Sequence, residues 1–323
     1  MSAVERVDAY QQRHTWAGLP LAVVYKFFDD QGAYLTALIT YYAFVSLFPL
    51  LLLLVTVLGF ALQNDPALQQ RVLDSALAQF PIIGDQLKNN IHSFKGNAFA
   101  LITGVIGSLY GGLGVIQATQ NALNKLWGVP RNSRPNPILS RLRSLVLLLV
   151  GGGAVLTLTV FASISSSLFG GGAWAAVTIV GVVAVNAVLF TAAFRLLTAC
   201  ELSIAQVRTG AVAAAVVWQI VQWGGSFFLG HMLKGATATY GLFGIVLGLL
   251  AWIYFGALTF VICAEVNVVR DRELWPRSLL TPFTDNVTLT AGDRRSYRSY
   301  AQTERHKGFQ TVDVEFDEPG DAR

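Results

Sequence analysis

The residues of this chain that could do chemistry are polar groups set inside or beside long apolar runs. Lys26, Asp29 and Asp30 stand just ahead of the first run, which continues as TYYAFVSLFPL over residues 40–50. There Tyr42, Ser46 and Pro49 share one helical face by steps of four and three. Gln117 and Asn121 lie one turn apart near the end of the second run, beside Gln120 and Asn124. The fourth run holds Asn186 and ends at Arg195, with Glu201 beyond it. Gln219 and Gln222 sit in WQIVQW, and the last run closes on CAEVN with Glu265 and Asn267. Polar side chains are costly in hydrocarbon and mark pathways or sites when they occur there. One reading is a polar vestibule, open to one side of the membrane, that takes a charged moiety such as a lipid headgroup sideways between helices. In the other, Glu201 and Glu265 pair with Arg195 or Arg270 near the headgroups and fix the bundle. The spacing does not separate them.

Bond-breaking chemistry is not indicated. A metal-dependent hydrolase needs clustered ligands to hold the ions that activate water, whereas His14, His92, His231 and His306 are scattered along the chain. Cys200 and Cys263 fall near helix ends on the side expected to be reducing, so neither a disulfide nor a metal site is expected. No phosphate-cradling loop of the GxxxxGK[ST] type occurs. The expectation is a protein that is not an enzyme, with no cofactor and no metal.

The elements that must position these groups follow from composition. Hydrophobic residues make up 54% of the 323 and charged residues 13%, against about 25% charged in soluble domains; mean hydropathy is +0.52. This predicts an all-α polytopic membrane protein. Apolar stretches long enough to cross a bilayer occur six times: about 33–62, from 98 to just past 116, 142–169, 173–197, 209–232 and 240–268. Runs such as LVLLLVGGGAVLTLTVFA are too long and unbroken for the strands of a barrel. The polar start, MSAVERVDAYQQRHTW, is not a signal core, so the first helix is expected to stay in the membrane.

Thirteen Lys and Arg residues flank the spans on one side, and four (Arg71, Lys88, Lys95 and Lys234) on the other. The positive-inside rule then places both termini in the cytoplasm. The net charge of +4 is spread around that rim rather than gathered in a basic domain, so nucleic acid is not an expected partner. Residues 1–32 become a cytoplasmic segment, 33–268 the membrane domain and 269–323 a flexible cytoplasmic tail. Between the first two spans, 63–97 reads as a pair of amphipathic helices on the outer face. It could rest on the bilayer, cover a cavity or dock an envelope partner. In the tail, RRSYRSY (294–300) either attracts anionic lipid through Arg294, Arg295 and Arg298 or is simply solvated.

Glycines step by three and four on two spans: Gly104, Gly107, Gly111 and Gly114, then Gly241, Gly244 and Gly248 with Ala251. Such stripes let backbones approach. The two are expected to pack on each other or on Gly151–Gly153; a sliding surface or a homodimer interface would use the same stripes. Pro49 should kink the first span, with Thr40, Tyr41, Tyr42 and Ser46 either satisfying freed carbonyls or facing a wet central cavity. The expectation is that Tyr42, Ser46 and Pro49 line that cavity.

Three blocks in this order, ALITYYAFVSLFPLLLLLVTVLGF, IQATQNALNKLWGVPR and YGLFGIVLGLLAWIYFGALTFVICAEVN, resemble the YihY/YhjD/BrkB family of bacterial inner-membrane proteins over about residues 20–275. The last block departs from the family's Gly-Ala-Glu-Leu-Asn by Cys263 and Val266 and keeps Glu265 and Asn267. The resemblance implies a six-helix protein tied to envelope integrity, some of whose relatives are proposed to move lipids. It also brings an old label, ribonuclease BN, that nothing in the residues supports. The leading expectation is a lipid transporter or flippase without its own ATPase, with membrane lipids as partners. Alternatives are a scaffold that recruits envelope proteins, and a small-solute or ion carrier.

Overall fold

The computed structural model describes residues 3–61, 98–136, 140–142, 144–146, 173–228, 234–284 and 287–317. The regular structure among these is helical: α1 (Ala3–Arg13), α2 (Thr15–Asp29), α3 (Gly32–Ala61), α4 (Ala98–Leu126), α5 (Ala173–Leu197), α6 (Ile204–Phe228), α7 (Lys234–Asp271) and α8 (Ala291–Thr303), with a 3-10 turn at Arg131–Ser133. The fourth, fifth and sixth expected spans fall on α5, α6 and α7, and the first two on α3 and α4. Of the third, 142 and 144–146 are helical; most of the rest, like the amphipathic pair at 63–97, lies outside the described residues.

Among the described residues, three stretches are long and apolar enough to cross a membrane: Ile179–Leu197, Ile204–Gly225 and Val246–Asp271. Gly32–Leu47 is a shorter apolar stretch. Their outward surfaces carry large apolar side chains in the open, among them Val180, Val188, Ile220, Trp223 and Phe255. Hydrocarbon, not water, is the natural solvent for such a surface.

The α3–α4 pair shows how sequence spacing sets packing. A Cβ added at Gly107 would lie 2.7 Å from the Pro49 ring; one at Gly111 would overlap Ser46, and one at Gly114 would overlap Tyr42. Pro49, Ser46 and Tyr42 therefore meet Gly107, Gly111 and Gly114 in antiparallel order, step for step. This corrects two expectations. The second span's glycines receive α3 rather than α7 or Gly151–Gly153, and the Tyr42–Ser46–Pro49 face is a helix contact rather than a cavity wall. The reason is steric: the missing Cβ atoms make room for the bulkier face. The hydroxyls turn back onto their own helix, Thr36 to Gly32 O and Thr40 to Thr36 O at 2.8 Å each, and Ser46 to Ala43 O at 2.9 Å. Gly104 is buried on α4. On α7, which packs against α6, α3 and α2, Gly244 and Gly248 are half-buried and Ala251 is exposed, while Gly241 lies a turn nearer the start of the helix.

α6 meets α7 through Gly210, whose N–H donates to Asn267 Oδ1 at 2.6 Å and where a Cβ would overlap the Cys263 carbonyl. The fully buried core, including Ala122, Leu123, Phe194, Val207, Ala211, Val261, Ala264 and Val268, lies toward the end of the bundle that also holds α1, α2 and α8. A third correction falls there. The segment after residue 268, expected to be a flexible tail, contains α8, whose start is fixed by a capping box between Thr290 and Asp293. Gly292, Asp293, Ser296 and Thr303 are buried on its inner face.

Candidate functional site: a buried charge cluster

Lys26 lies in the last turn of α2, Asp30 one turn later at the α2–α3 junction, and Glu265 near the end of α7. Their exposures are 2%, 2% and 0%. Lys26 Nζ is ion-paired to the Asp30 carboxylate and lies 3.7 Å from Glu265 Oε2. Tyr300 of α8 closes over the cluster, its ring centroid 5.2 Å from Lys26 Nζ, and its hydroxyl donates to Asp29 Oδ2 at 3.2 Å.

Beside this cluster lies a second buried cation with very different surroundings. Arg277, 1% exposed, donates to Asp293 through Nε, to Ser296 Oγ at 3.0 Å and to Asp29 Oδ2 at 3.1 Å. Its own carbonyl accepts from Gln11 of α1. Asp293 also accepts from the Ser278 N–H at 3.1 Å, the Thr290 N–H at 3.0 Å and the Thr290 hydroxyl at 2.8 Å. The following turn is tied down by Tyr25 OH to Leu279 O at 2.8 Å and by Leu279 N to Asp8 Oδ1 at 2.9 Å. Arg277 thus ties the segment after α7 to α2 and α8 through its guanidinium and to α1 through its carbonyl.

The electrostatics follow from burial and neighbours. Desolvation pushes the Asp30 carboxyl above the ordinary carboxylate range, against the opposing pull of Lys26 and then Lys125. The Tyr300 phenol is raised by burial and then by Asp30 and Asp29. At Arg277 burial pulls the guanidinium down, but Asp29 and Asp293 outweigh it and hold it above its usual value.

Glu265 differs from Asp293 in one decisive respect. Both carboxylates are fully buried, yet neither Glu265 oxygen accepts a hydrogen bond, and Asn267 Nδ2 two residues further along finds no acceptor. Buried polar atoms are ordinarily satisfied, so such exceptions are candidate functional groups.

Of the residues singled out in the sequence, the structure gathers Lys26, Asp30 and Glu265, with Asp29 at the edge in the Arg277 network. Asn267 accepts from Gly210 through Oδ1, its Nδ2 remaining without an acceptor. Gln117 is half-buried and Asn121 exposed on α4, while their neighbours fasten helices: Gln120 Oε1 accepts from Ser140 at 3.0 Å and Asn124 Oδ1 from the Ala199 N–H at 2.7 Å. Asn186, Gln219 and Gln222 are half-buried on α5 and α6, and Glu201 is exposed. The expected pairing of Glu265 with Arg195 or Arg270 gives way to Lys26: Arg195 Nε donates to Leu202 O at 2.7 Å, and Arg270 bonds Thr209. Among the described residues no three His, Cys, Asp or Glu side chains gather as a metal-holding group. Sequence reasoning missed Arg277, Asp293 and Tyr300. A usable signal was present, because Thr290-Ala291-Gly292-Asp293 has the spacing of a helix cap.

Residues 23–282 match the family model described as virulence factor BrkB. The chain belongs to this family. A curated relative is the "Putative ribonuclease-like protein YfkH" of Bacillus subtilis (strain 168), 27% identical over 255 residues that cover 74% of this chain and 90% of that protein. No solved structure matches. Within this BrkB-family chain the matched span contains Lys26, Asp29, Asp30, Glu265 and Arg277, whereas Asp293 and Tyr300 lie beyond it.

Proposed function

We propose that this BrkB-family protein sits in the bacterial inner membrane with both termini in the cytoplasm and supports envelope integrity by moving lipid, as a transporter or flippase without its own ATPase. The observation that carries the reading is the Lys26–Asp30–Glu265 cluster at the end of the α7 span. A buried ion pair is weak evidence of stabilisation, since apolar residues of similar volume often do as well or better. A lysine held between two carboxylates, one of them otherwise unbonded, is better accounted for by a working role. Lys26 can exchange its carboxylate partners for the phosphate of a headgroup, both being oxygen anions that an ammonium binds as a point charge. The apolar outer faces of α5 and α6 leave the acyl chains in lipid while the headgroup enters between helices.

The excess of Lys and Arg flanking the spans on the α2 and α8 side supports the orientation. The word "ribonuclease" in the Bacillus relative's name is not carried over, because the cluster's central cation is a lysine and hydrolysis by a metal needs a ligand set around an open position. A scaffold role draws support from one observation, the ordered cap of α1, α2 and α8, which could present a surface to other proteins. The deciding experiment follows dye-labelled phospholipid between leaflets in proteoliposomes, with wild type beside K26A and E265Q. Faster exchange with wild type and loss in both variants supports transport; no acceleration by folded wild type with any native phospholipid favours the scaffold.

A further inference from the structure

The geometry points to a proton-binding site: Asp30 and Glu265 hold one proton between them beside Lys26, and they take up a further proton when Lys26 leaves them. The first half stands on the cluster alone, and the second rests on the lipid-transport reading above.

With all three groups ionised the cluster carries one net negative charge, each member being at most 2% exposed. A buried, uncompensated charge is costly even after relaxation, and the usual escape is for a group to change its protonation state. Asp293 shows how this chain compensates a buried carboxylate it keeps ionised, with an arginine, two backbone N–H groups and a hydroxyl. Glu265 has none of these. The Asp30 and Glu265 carboxyl groups nonetheless face the same ammonium, Lys26 Nζ being ion-paired to Asp30 and 3.7 Å from Glu265 Oε2, and each acts on the other. Two carboxylates in that position only repel; one acid and one carboxylate make a strong O–H···O bond. A single proton therefore gives one of the bare Glu265 oxygens a partner and neutralises the cluster.

The groups acting on the pair from the packed elements are Lys26 and Asp29 of α2, Lys125 of α4 and Tyr300 of α8. Lys125 is engaged with Gln31 Oε1 at 3.2 Å and Asp29 with Arg277 at 3.1 Å, which leaves Lys26 as the cation the pair shares. A metal ion is disfavoured for the same reason: the ammonium already occupies the ground beside both carboxylates. When Lys26 turns to a phosphate headgroup, the singly protonated pair is left with one uncompensated negative charge and takes up a second proton, which it gives back when Lys26 returns. The proton comes from water and returns to it, with one O–H bond formed and broken per cycle.

The test is infrared titration of the purified full-length protein, reading the C=O stretch of a protonated carboxylic acid. Wild type is expected to show that band at neutral pH and to lose it in alkali, with E265Q and D30N each lacking it. Absence of the band from wild type at neutral pH, or its persistence in both variants, overturns the site. The wild-type titration stands even if one variant fails to fold. In parallel, phospholipid exchange is measured in phosphatidylethanolamine–phosphatidylglycerol vesicles with and without a pH gradient. A band without exchange keeps the proton site and removes the coupling; exchange without a band keeps transport and removes the proton site. Exchange insensitive to the gradient in a protein that shows the band also removes the coupling.

Discussion

Arg277 and Lys26 are buried cations joined through Asp29 and Tyr300, and their neighbours predict opposite responses to substitution. Arg277 is held by Asp29, Asp293 and Ser296, so R277M strands a fully buried Asp293 and should destabilise the protein by about 3–5 kcal/mol, read as a lowered unfolding midpoint in detergent. E265Q removes a charge that has no donors to lose; it should leave the midpoint within about 1 kcal/mol of wild type or raise it, while abolishing lipid exchange. Asp30 supplies a pH signature. Its pKa in the fold is raised, so the folded chain binds a proton at a higher pH than the unfolded one. The contribution is fully present below the ordinary carboxylate pKa and is lost as pH rises through the raised value. Thermal unfolding across that window should fall with pH in wild type and flatten in D30N. At this scale the types were legible: Lys26, Asp30 and Glu265 stood out as charges against an apolar background. Their meeting was not, because helical periodicity says which residues share a face and nothing about which distant face comes opposite. Counting positive charges also treated Arg277 as one rim residue among many, although it is the one most deeply bound.

Among the elements, α3 and α4 give the sharpest mutational test. Gly111 and Gly114 stand against Ser46 and Tyr42, with no room for a Cβ, while Gly181 and Gly224 have nothing within 4 Å. Gly111→Ala and Gly114→Ala should each lower stability by about 1–3 kcal/mol through overpacking. Gly181→Ala should be neutral or stabilising, since Ala is the better helix former by about 1 kcal/mol. Thermal midpoints of the purified variants decide it, and Ser46→Gly should recover part of the Gly111→Ala loss. The glycine stripe and the Tyr42–Ser46–Pro49 face were both visible in the sequence with the same spacing, four then three. Spacing alone does not pair them, and polar hydroxyls suggest water, whereas each of Thr36, Thr40 and Ser46 bonds a carbonyl of its own helix. α8 escaped notice for a related reason: a charged, low-hydropathy segment reads as solvated unless its cap is weighed. Thr290→Ala should cost about 1 kcal/mol and raise hydrogen exchange across 291–303.

For the molecule as a whole, the membrane class was evident from composition, and the described spans lie where apolar length placed them. The ordered cap was not evident, since α1, α2 and α8 are tied together by contacts between opposite ends of the chain, such as Asp8 with Leu279 and Gln11 with Arg277. Deleting residues 291–323 should expose Lys26 and Asp30, speeding hydrogen exchange over 22–32 while leaving α5 and α6 protected. The step-for-step meshing of α3 with α4 has a mechanical consequence for any such opening. Three side chains seated in three notches, like a key in its wards, forbid that pair from sliding by less than a whole repeat. Movement that brings Lys26 into reach of a headgroup must then fall to α2 and α7, pivoting against the locked α3–α4 pair as their fulcrum.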